Sequence, residues 1–265
     1  MAAFGPPEIG WVRLPDETQA DGSGTPQPVL FRDLDGFAVY EGCILIGRTQ
    51  DVRSATKQVN ATPQLLAGQA SLGFAIVGPR FRWPASDGAY QLAYNDELLD
   101  DARRQAAQAA IQHWQQNTSL RFAPATRTAA NVVVFRPGSI CASYIGRQDA
   151  PQDILLAAGC TPGNVMHEIG HAAGLWHEHT RPDRDQNVKV ILSNIQPAAR
   201  PNFLTRTGDG MALGAYDFAS IMHYPADAFA IDPAQPTMAS RDGQPIGQRQ
   251  ALSPGDIATI KALYP

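Results

Sequence analysis

"HEIGHAAGLWH", residues 167–177, sets three of the chain's six histidines within one short stretch, beside a glutamate and a glycine. On a helix advancing about 100° per residue, His167 and His171 lie on one side, a turn apart, so two imidazoles can share one ion. Glu168 is displaced by one position, too far round to be an equal ligand but near enough to reach a water held on that ion. Gly174 can take the positive φ that ends a helix, and the reversal that follows would return His177 as a third nitrogen ligand. Three neutral imidazoles with one open position describe a catalytic zinc site rather than a closed structural one. The competing reading is a helix with incidental histidines. Five fixed positions would match by chance in on the order of one chain in ten thousand of this length. Glu168 would then be a charge on a largely apolar helix with no basic partner in the adjacent turn.

The remainder of the chain bounds what can surround such a site. Its 265 residues suffice for one sizeable core, or for a catalytic domain of about 200 residues with a smaller appendage. A formal net charge of -4, with acids and bases interspersed, gives no ground for a nucleic-acid or anionic-membrane partner. Apolar runs such as "ILIG" are far too short to cross a bilayer. Residues 5–30 are rich in Pro, Gly, Asp, Gln and Thr and read as loop or extended segment. "GFAVYEGCILIGR" (36–48) reads as a short strand or an extended stretch lying against something else. "NATPQLLAGQASLG" (60–73) reads as a linker, which places a boundary between about residues 70 and 80. From Asn95, "NDELLDDARRQAAQAAIQHWQQNT" predicts a helix with Ala106, Ala110, Ile111 and Trp114 on one face. His113 beside that face has no second ligand at helical spacing and reads as an ordinary half-buried histidine. "LRF" and "NVVVF" predict strands, so helix and strand alternate before the histidine cluster.

The stretch "HEIGHAAGLWHEHTRPDRD" (167–185) resembles the zinc motif of the metzincin proteases, and within them of the astacin family. "YDFASIMHYPADAF" (216–229) is similar to that family's Met-turn. "WPASDGAYQLAYN" (83–95), "CASYIGRQDAPQDILLAAGC" (141–160) and "IGQRQALSPGDIATIKALY" (246–264) match in order, so the resemblance covers about residues 74–265. It implies an α/β fold of two subdomains: a twisted, mainly parallel sheet with two long helices above, and an irregular lower part ending in the helix "SPGDIATIKALY". An antiparallel edge strand near "CASY" would bind substrate by adding it to the sheet.

The resemblance also implies roles. His167, His171 and His177 would hold Zn2+, which acidifies a bound water and polarises the scissile carbonyl. Glu168 would act as general base and pass the proton to the leaving amine. Tyr224 would be a further zinc ligand that swings away and donates a hydrogen bond to the oxyanion. Met222 would be an apolar floor beneath the metal, a packing role. His179 and His223 flank the ligands in the family pattern without binding metal. Glu178 resembles the residue that receives a newly formed N-terminal ammonium; its plainer reading is a surface partner for Arg181, three residues on. The substrates implied are proteins or peptides, with an activating protease upstream. The alternative is a non-catalytic peptide-binding module on the same scaffold, which would be free to lose Glu168 and Tyr224. A structural zinc protein would want four closed ligands from the core domain itself.

Cys43, Cys141 and Cys160 make an odd count. Cys141 and Cys160 match a disulfide of the family, closing a loop of about 20 residues worth roughly 3 kcal/mol in the chain-entropy model. The family's other bridge is expected to be missing, because Ser119 stands at its first position and the sequence ends at Pro265 where the second would follow. A disulfide implies an oxidising compartment, hence a secreted or extracellular protein. "MAAFGPPEIGWVRLPD" lacks the features of a secretory signal, which leaves a removed signal, another export route or retention inside the cell. By composition, isolated Cys43 reads as a small buried apolar residue. Yet Tyr40-Glu41-Gly42-Cys43 resembles the "Phe-Glu-Gly-Asp" segment of astacin-like proenzymes with cysteine in place of the acid. This makes residues 1–73 an expected propeptide over the cleft, with Cys43 as fourth zinc ligand, and residues 74–265 the catalytic domain.

Overall fold

The computed structural model describes residues 6–13, 26–56, 74–76, 78–86, 88–206 and 210–265. The front of the chain is more regular than its composition suggests. Strands β1 (Glu8–Arg13), β2 (Pro26–Leu34), β3 (Phe37–Tyr40) and β4 (Ile44–Arg48) form an antiparallel meander, and helix α1 (Thr49–Thr56) packs on it. Of the two readings for residues 5–30, loop or extended segment, the described residues take the extended one and pair as two strands. The reason is local: β2 needs only Val29, Phe31 and Leu34 to fill its inner positions, and strand pairing satisfies the backbone of its polar remainder. The short strand or extended stretch expected at 36–48 is two strands around a turn, packed against the rest of the chain. The linker read at 60–73 lies outside the described residues.

Beyond it come β5 (Ala75–Ile76), β6 (Ala85–Ser86), β7 (Ala89–Asn95) and helix α2 (Asp101–Asn117). Asp100, not Asn95, starts this helix: its side chain accepts the Arg103 amide at 3.0 Å, an N-cap that fixes the first turn. Strands β8 (Arg121–Pro124), β9 (Val132–Pro137), β10 (Ala142–Ser143) and β11 (Gln152–Leu156) follow. Among the described residues the main sheet runs β1-β2-β3-β4-β10-β11-β9-β7-β6, with β8 also on β7. The pairs β7/β8, β7/β9 and β9/β11 are parallel, whereas β10 is antiparallel to β11. β10 is thus the antiparallel strand expected near "CASY", and its outer side is paired in parallel with β4.

Helix α3 (Pro162–Ala172) carries the histidine motif. Thr161 and Asn164 close a capping box and Pro162 supplies the preset φ of the first turn. Val165, Ile169 and Ala172 face a core shared with Trp114, Phe135, Ile154 and Ile260. Buried Trp114 donates from its indole to Met166 O at 3.1 Å. At the other end of α3, Trp83 donates to Ala172 O at 2.8 Å and Tyr264 to Ala173 O at 2.9 Å, satisfying carbonyls that a helix end leaves open. The lower part is irregular: short α4 (Arg184–Asn187), the β12/β14 pair (Val188–Val190 with Met238–Ser240), β13 (Gly210–Met211) against β5, and helix α5 (Pro254–Leu263). Cys141 and Cys160 are joined, Cα–Cα 6.1 Å, tying the segment before β10 to the start of α3.

Trp114 fills the contact between α2 and α3 and supplies a hydrogen bond there. Trp114→Ala is expected to lower unfolding free energy by about 3–5 kcal/mol, read from urea unfolding by circular dichroism.

Candidate active site

The turn after α3 sets the site's geometry. Gly174 has φ +101°, and its amide donates to His171 O while the Leu175 amide donates to Gly170 O. The reversal brings the Leu175 carbonyl back to accept the His171 Nδ1–H at 2.8 Å. His167 Nδ1–H donates to Ile221 O at 2.8 Å, and His177 Nδ1–H to the Glu41 carboxylate at 2.9 Å. With each Nδ1 used as a donor, all three Nε2 lone pairs are free to face a common centre. Burial enforces neutrality. It pushes the His171 pKa down to about 4 and those of His167 and His177 well below the ordinary value.

A fourth donor meets them. Cys43 Sγ lies 3.6, 3.4 and 3.2 Å from Nε2 of His167, His171 and His177, and the four donor atoms all fall within 4.8 Å of one another. A tetrahedral zinc with bonds of about 2.1 Å to nitrogen and 2.3 Å to sulfur would set each sulfur–nitrogen separation near 3.6 Å. The donor set fits that ion. Glu41 and Gly42, both left-handed at φ 45° and 75°, bend the β3–β4 connection enough to deliver the thiol. A side chain at Gly42 would meet Phe229 Cζ at 2.6 Å, so this turn needs glycine for space as well as for φ.

Other expected residues fall around this centre. Glu168 is buried, with Oε2 lacking any partner among the described residues. Burial raises its pKa well above the carboxylate range, and the positive charge of Arg249 works in the opposite direction. The Tyr224 hydroxyl donates to the Glu41 carbonyl at 2.5 Å, and its ring lies in an aromatic slot, stacked 3.8 Å from His179 and edge-on to Phe203. Met222 lies under α3 where Gly170 leaves room: a Cβ there would stand 2.5 Å from Met222 Sδ. Glu178 accepts from Arg181 at 3.1 Å and from the Asp217 amide at 2.8 Å; the Arg181 pairing of the plainer reading is present, but buried rather than at the surface. Burial still carries its pKa up to about 8 against the pull of Arg181. His223 donates to Tyr224 O and accepts from the Tyr216 hydroxyl, both at 2.7 Å, and so shapes the backbone beside Tyr224.

Four residues escape sequence reasoning. Glu41 orients His177 and also pairs with Arg206 at 2.5 Å; its signal was present, one position from the glycine before Cys43. Arg206 lies over the Trp176 ring at 3.6 Å and has no local pattern to announce it. Asp256 caps α5 and accepts from Ser220 Oγ at 2.6 Å and the Ile221 amide at 2.9 Å, so it holds the same residue whose carbonyl anchors His167. Arg249 donates to His223 O at 2.9 Å and acts on Glu168, Cys43 and Tyr224 through its charge.

A family model described as Astacin, a family of peptidases, matches residues 76–265. The chain belongs to the astacin family. Tolloid-like protein 2 of Homo sapiens is 39% identical over 191 residues, covering 69% of this chain and 18% of that protein. Zinc metalloproteinase nas-36 of Haemonchus contortus is 32% identical over 274 residues, covering 99% of this chain and 44% of its own length. This chain thus spans less than half of either relative. High choriolytic enzyme 1, a hatching-enzyme zinc protease of Oryzias latipes, superposes with a TM-score of 0.66 at 29% identity, over 71% of this chain and 98% of that one. The astacin-type donor set and the family together make zinc the cofactor of this site.

Two outcomes follow from the geometry. Gly170→Ala, which in an isolated helix would gain up to about 1 kcal/mol, is expected here to destabilise and to weaken zinc retention under chelator competition, because its methyl displaces Met222. Burial carries the His223 pKa down to about 4, whereas the unfolded chain takes that proton near the ordinary 6.5. The unfolded state therefore binds more protons between these values, and folding stability falls as pH drops from about 6.5 towards 4, by at most about 3 kcal/mol from this group. His223→Gln is expected to flatten that part of the stability profile, measured by urea unfolding across the window.

Proposed function

We infer that this chain is a latent zinc endopeptidase whose front segment blocks its own metal centre. The observation that carries the reading is the Cys43 thiol completing a four-donor cluster with His167, His171 and His177. Zinc bound there supplies a Lewis acid that polarises a peptide carbonyl, makes a water acidic and adds positive charge beside Glu168. The chain's own groups do the rest. Glu168 takes a proton from the attacking water and hands it to the leaving amine; burial gives it the high proton affinity that the first of these transfers uses. Tyr224, free to donate once the Glu41 carbonyl has left, stabilises the developing oxyanion. The neutral, Nδ1-anchored imidazoles hold the metal, and Met222 packs beneath it.

In the latent state Cys43 takes the coordination position that a water needs. Burial and the nearby Glu168 carboxyl raise its thiol pKa, and metal coordination is what would ionise it. The same turn engages Tyr224 and His177, so one four-residue segment fills the ligand position, ties up the oxyanion donor and anchors the third imidazole. Activation would begin with another protease severing this segment from the catalytic part. A cut near Gly73 and Phe74 is supported by the register of β5: Ile76 N donates to Gly174 O and Trp176 N to Phe74 O, so a new amino end at Phe74 would start beside Trp176, two positions before Glu178. The Cys141–Cys160 bridge supports a secreted or extracellular location, since such bonds persist in oxidising surroundings. No described helix is long and apolar enough to cross a membrane. A peptide-binding module would have no use for Glu168, whose buried and unpartnered oxygen costs stability.

Peptidase activity on an unfolded protein tests this directly. Full-length protein is expected to be silent, Cys43→Ala to show measurable turnover, and protein lacking residues 1–73 to show full activity. In the active form Glu168→Ala is expected to lower kcat/KM by about a thousandfold or more without loss of zinc. Activity that survives Glu168→Ala sinks the assigned mechanism.

A further inference from the structure

The part of the chain that carries Cys43 is a small fold rather than a strap. Strands β1–β4 and α1 bury Phe31, Ala38 and Val52 against one another, a core that belongs to the front segment alone. Three kinds of contact seat this fold on the rest. Leu34, Phe37, Val39 and Leu45 share one buried cluster with Ala142 and Leu155, and Ile44 joins a second with Phe81, Ile145 and Trp176. Hydrogen bonds add to these: Ser143 N donates to Cys43 O at 2.9 Å, and the Asp35 carboxylate accepts from both the amide and the hydroxyl of Ser139. At the centre, the Glu41 carboxylate is buried between Arg206 and His177. All of these contacts lie outside residues 57–73, the stretch that joins the two parts covalently.

We propose that residues 6–56 act as a docked inhibitory subunit, so that cutting the chain between residues 57 and 73 leaves a noncovalent two-piece complex that is still latent. This rests on the latent-protease reading above. Cutting the connection removes none of the apolar burial and none of the strand pairing just described, and neither member of the Glu41–Arg206 pair. Release would expose both apolar clusters at once, and partial lifting would strand a buried charge, so the segment leaves as a unit or not at all. Activation therefore takes a second event, a further cut within residues 26–56 that destroys the β1–β4 meander. The partner surface it would vacate is the β10 edge together with Arg206 and Trp176.

The test places a recognition sequence for a site-specific protease within residues 60–70 of the full, zinc-loaded chain and cuts it to completion. Size-exclusion chromatography under native conditions and a peptidase assay are then run on the same sample. The two pieces are expected to elute together and activity to stay at the uncut level. Glu41→Ala and Arg206→Gln, each in the cut protein, are expected to raise the dissociation constant of the pieces by about a hundredfold or more. Separation on cutting alone overturns the proposal, whatever the activity. Co-elution with full activity also overturns it, because the seated fold would then not be the block. If the pieces are parted in urea and the larger, returned to native buffer, is folded and zinc-loaded yet inert on every substrate, the protease reading fails while the two-piece complex stands.

Discussion

Three imidazole nitrogens must converge, neutral and with lone pairs inward, in a buried pocket. Much of this fold can be read as a means to that end. Each ring has one nitrogen tied off by an acceptor from a different part of the chain: Leu175 O just past α3, Ile221 O in the Met-turn and Glu41 in the front segment. Burial keeps the rings uncharged, because a proton on any of them would be an unsolvated cation beside two others. The anchors are themselves anchored. Asp256 at the start of α5 holds Ser220 and Ile221, and Gly170 lets Met222 lie against the helix that carries His167 and His171. The last helix of the chain thus takes part in setting the tautomer of the first ligand.

The front segment enters this arrangement as chemistry and as architecture. Its turn supplies a sulfur at ligand distance, a carboxylate to His177 and a carbonyl to Tyr224, which is why two consecutive left-handed residues are tolerated there. Its strands extend the main sheet past β10, so the edge on which an extended peptide would pair is already occupied, in parallel orientation. Electrostatics ties the two together. Arg206 and Arg249 bring positive charge to a pocket that holds Glu41, Glu168 and a thiol, and the desolvation that raises the Glu168 and Cys43 pKa values is partly opposed by Arg249.

Legibility varied along the chain for physical reasons. The metal-binding helix was readable because i and i+4 spacing, a following glycine and a third histidine are all local. Helix α2 was readable from its alanine-rich face, though its start is set by a side-chain cap at Asp100 rather than by the first acidic residues. The strands at 8–13 and 26–34 were not, because their stability comes from pairing with each other and from packing on α1, and neither leaves a strong apolar alternation. Arg206 and Arg249 were equally silent. A lone arginine looks the same in sequence whether it faces solvent or reaches a cleft.

The sequence by itself determined the three histidines, the glutamate beside them, the glycine that reverses the helix and the cysteine of the Tyr40–Cys43 turn, since each depends on residues a few positions apart. Only the tertiary structure decided which nitrogen of each histidine faces inward, what raises the proton affinity of Glu168 and how the front segment is held. Apart from the local bond of His171 to Leu175 O, those depend on groups separated by 50 to more than 160 residues, such as His167 with Ile221 and Arg206 with Glu41. Hydrogen-bond direction and desolvation are properties of a packed interior, and no spacing along the chain encodes them.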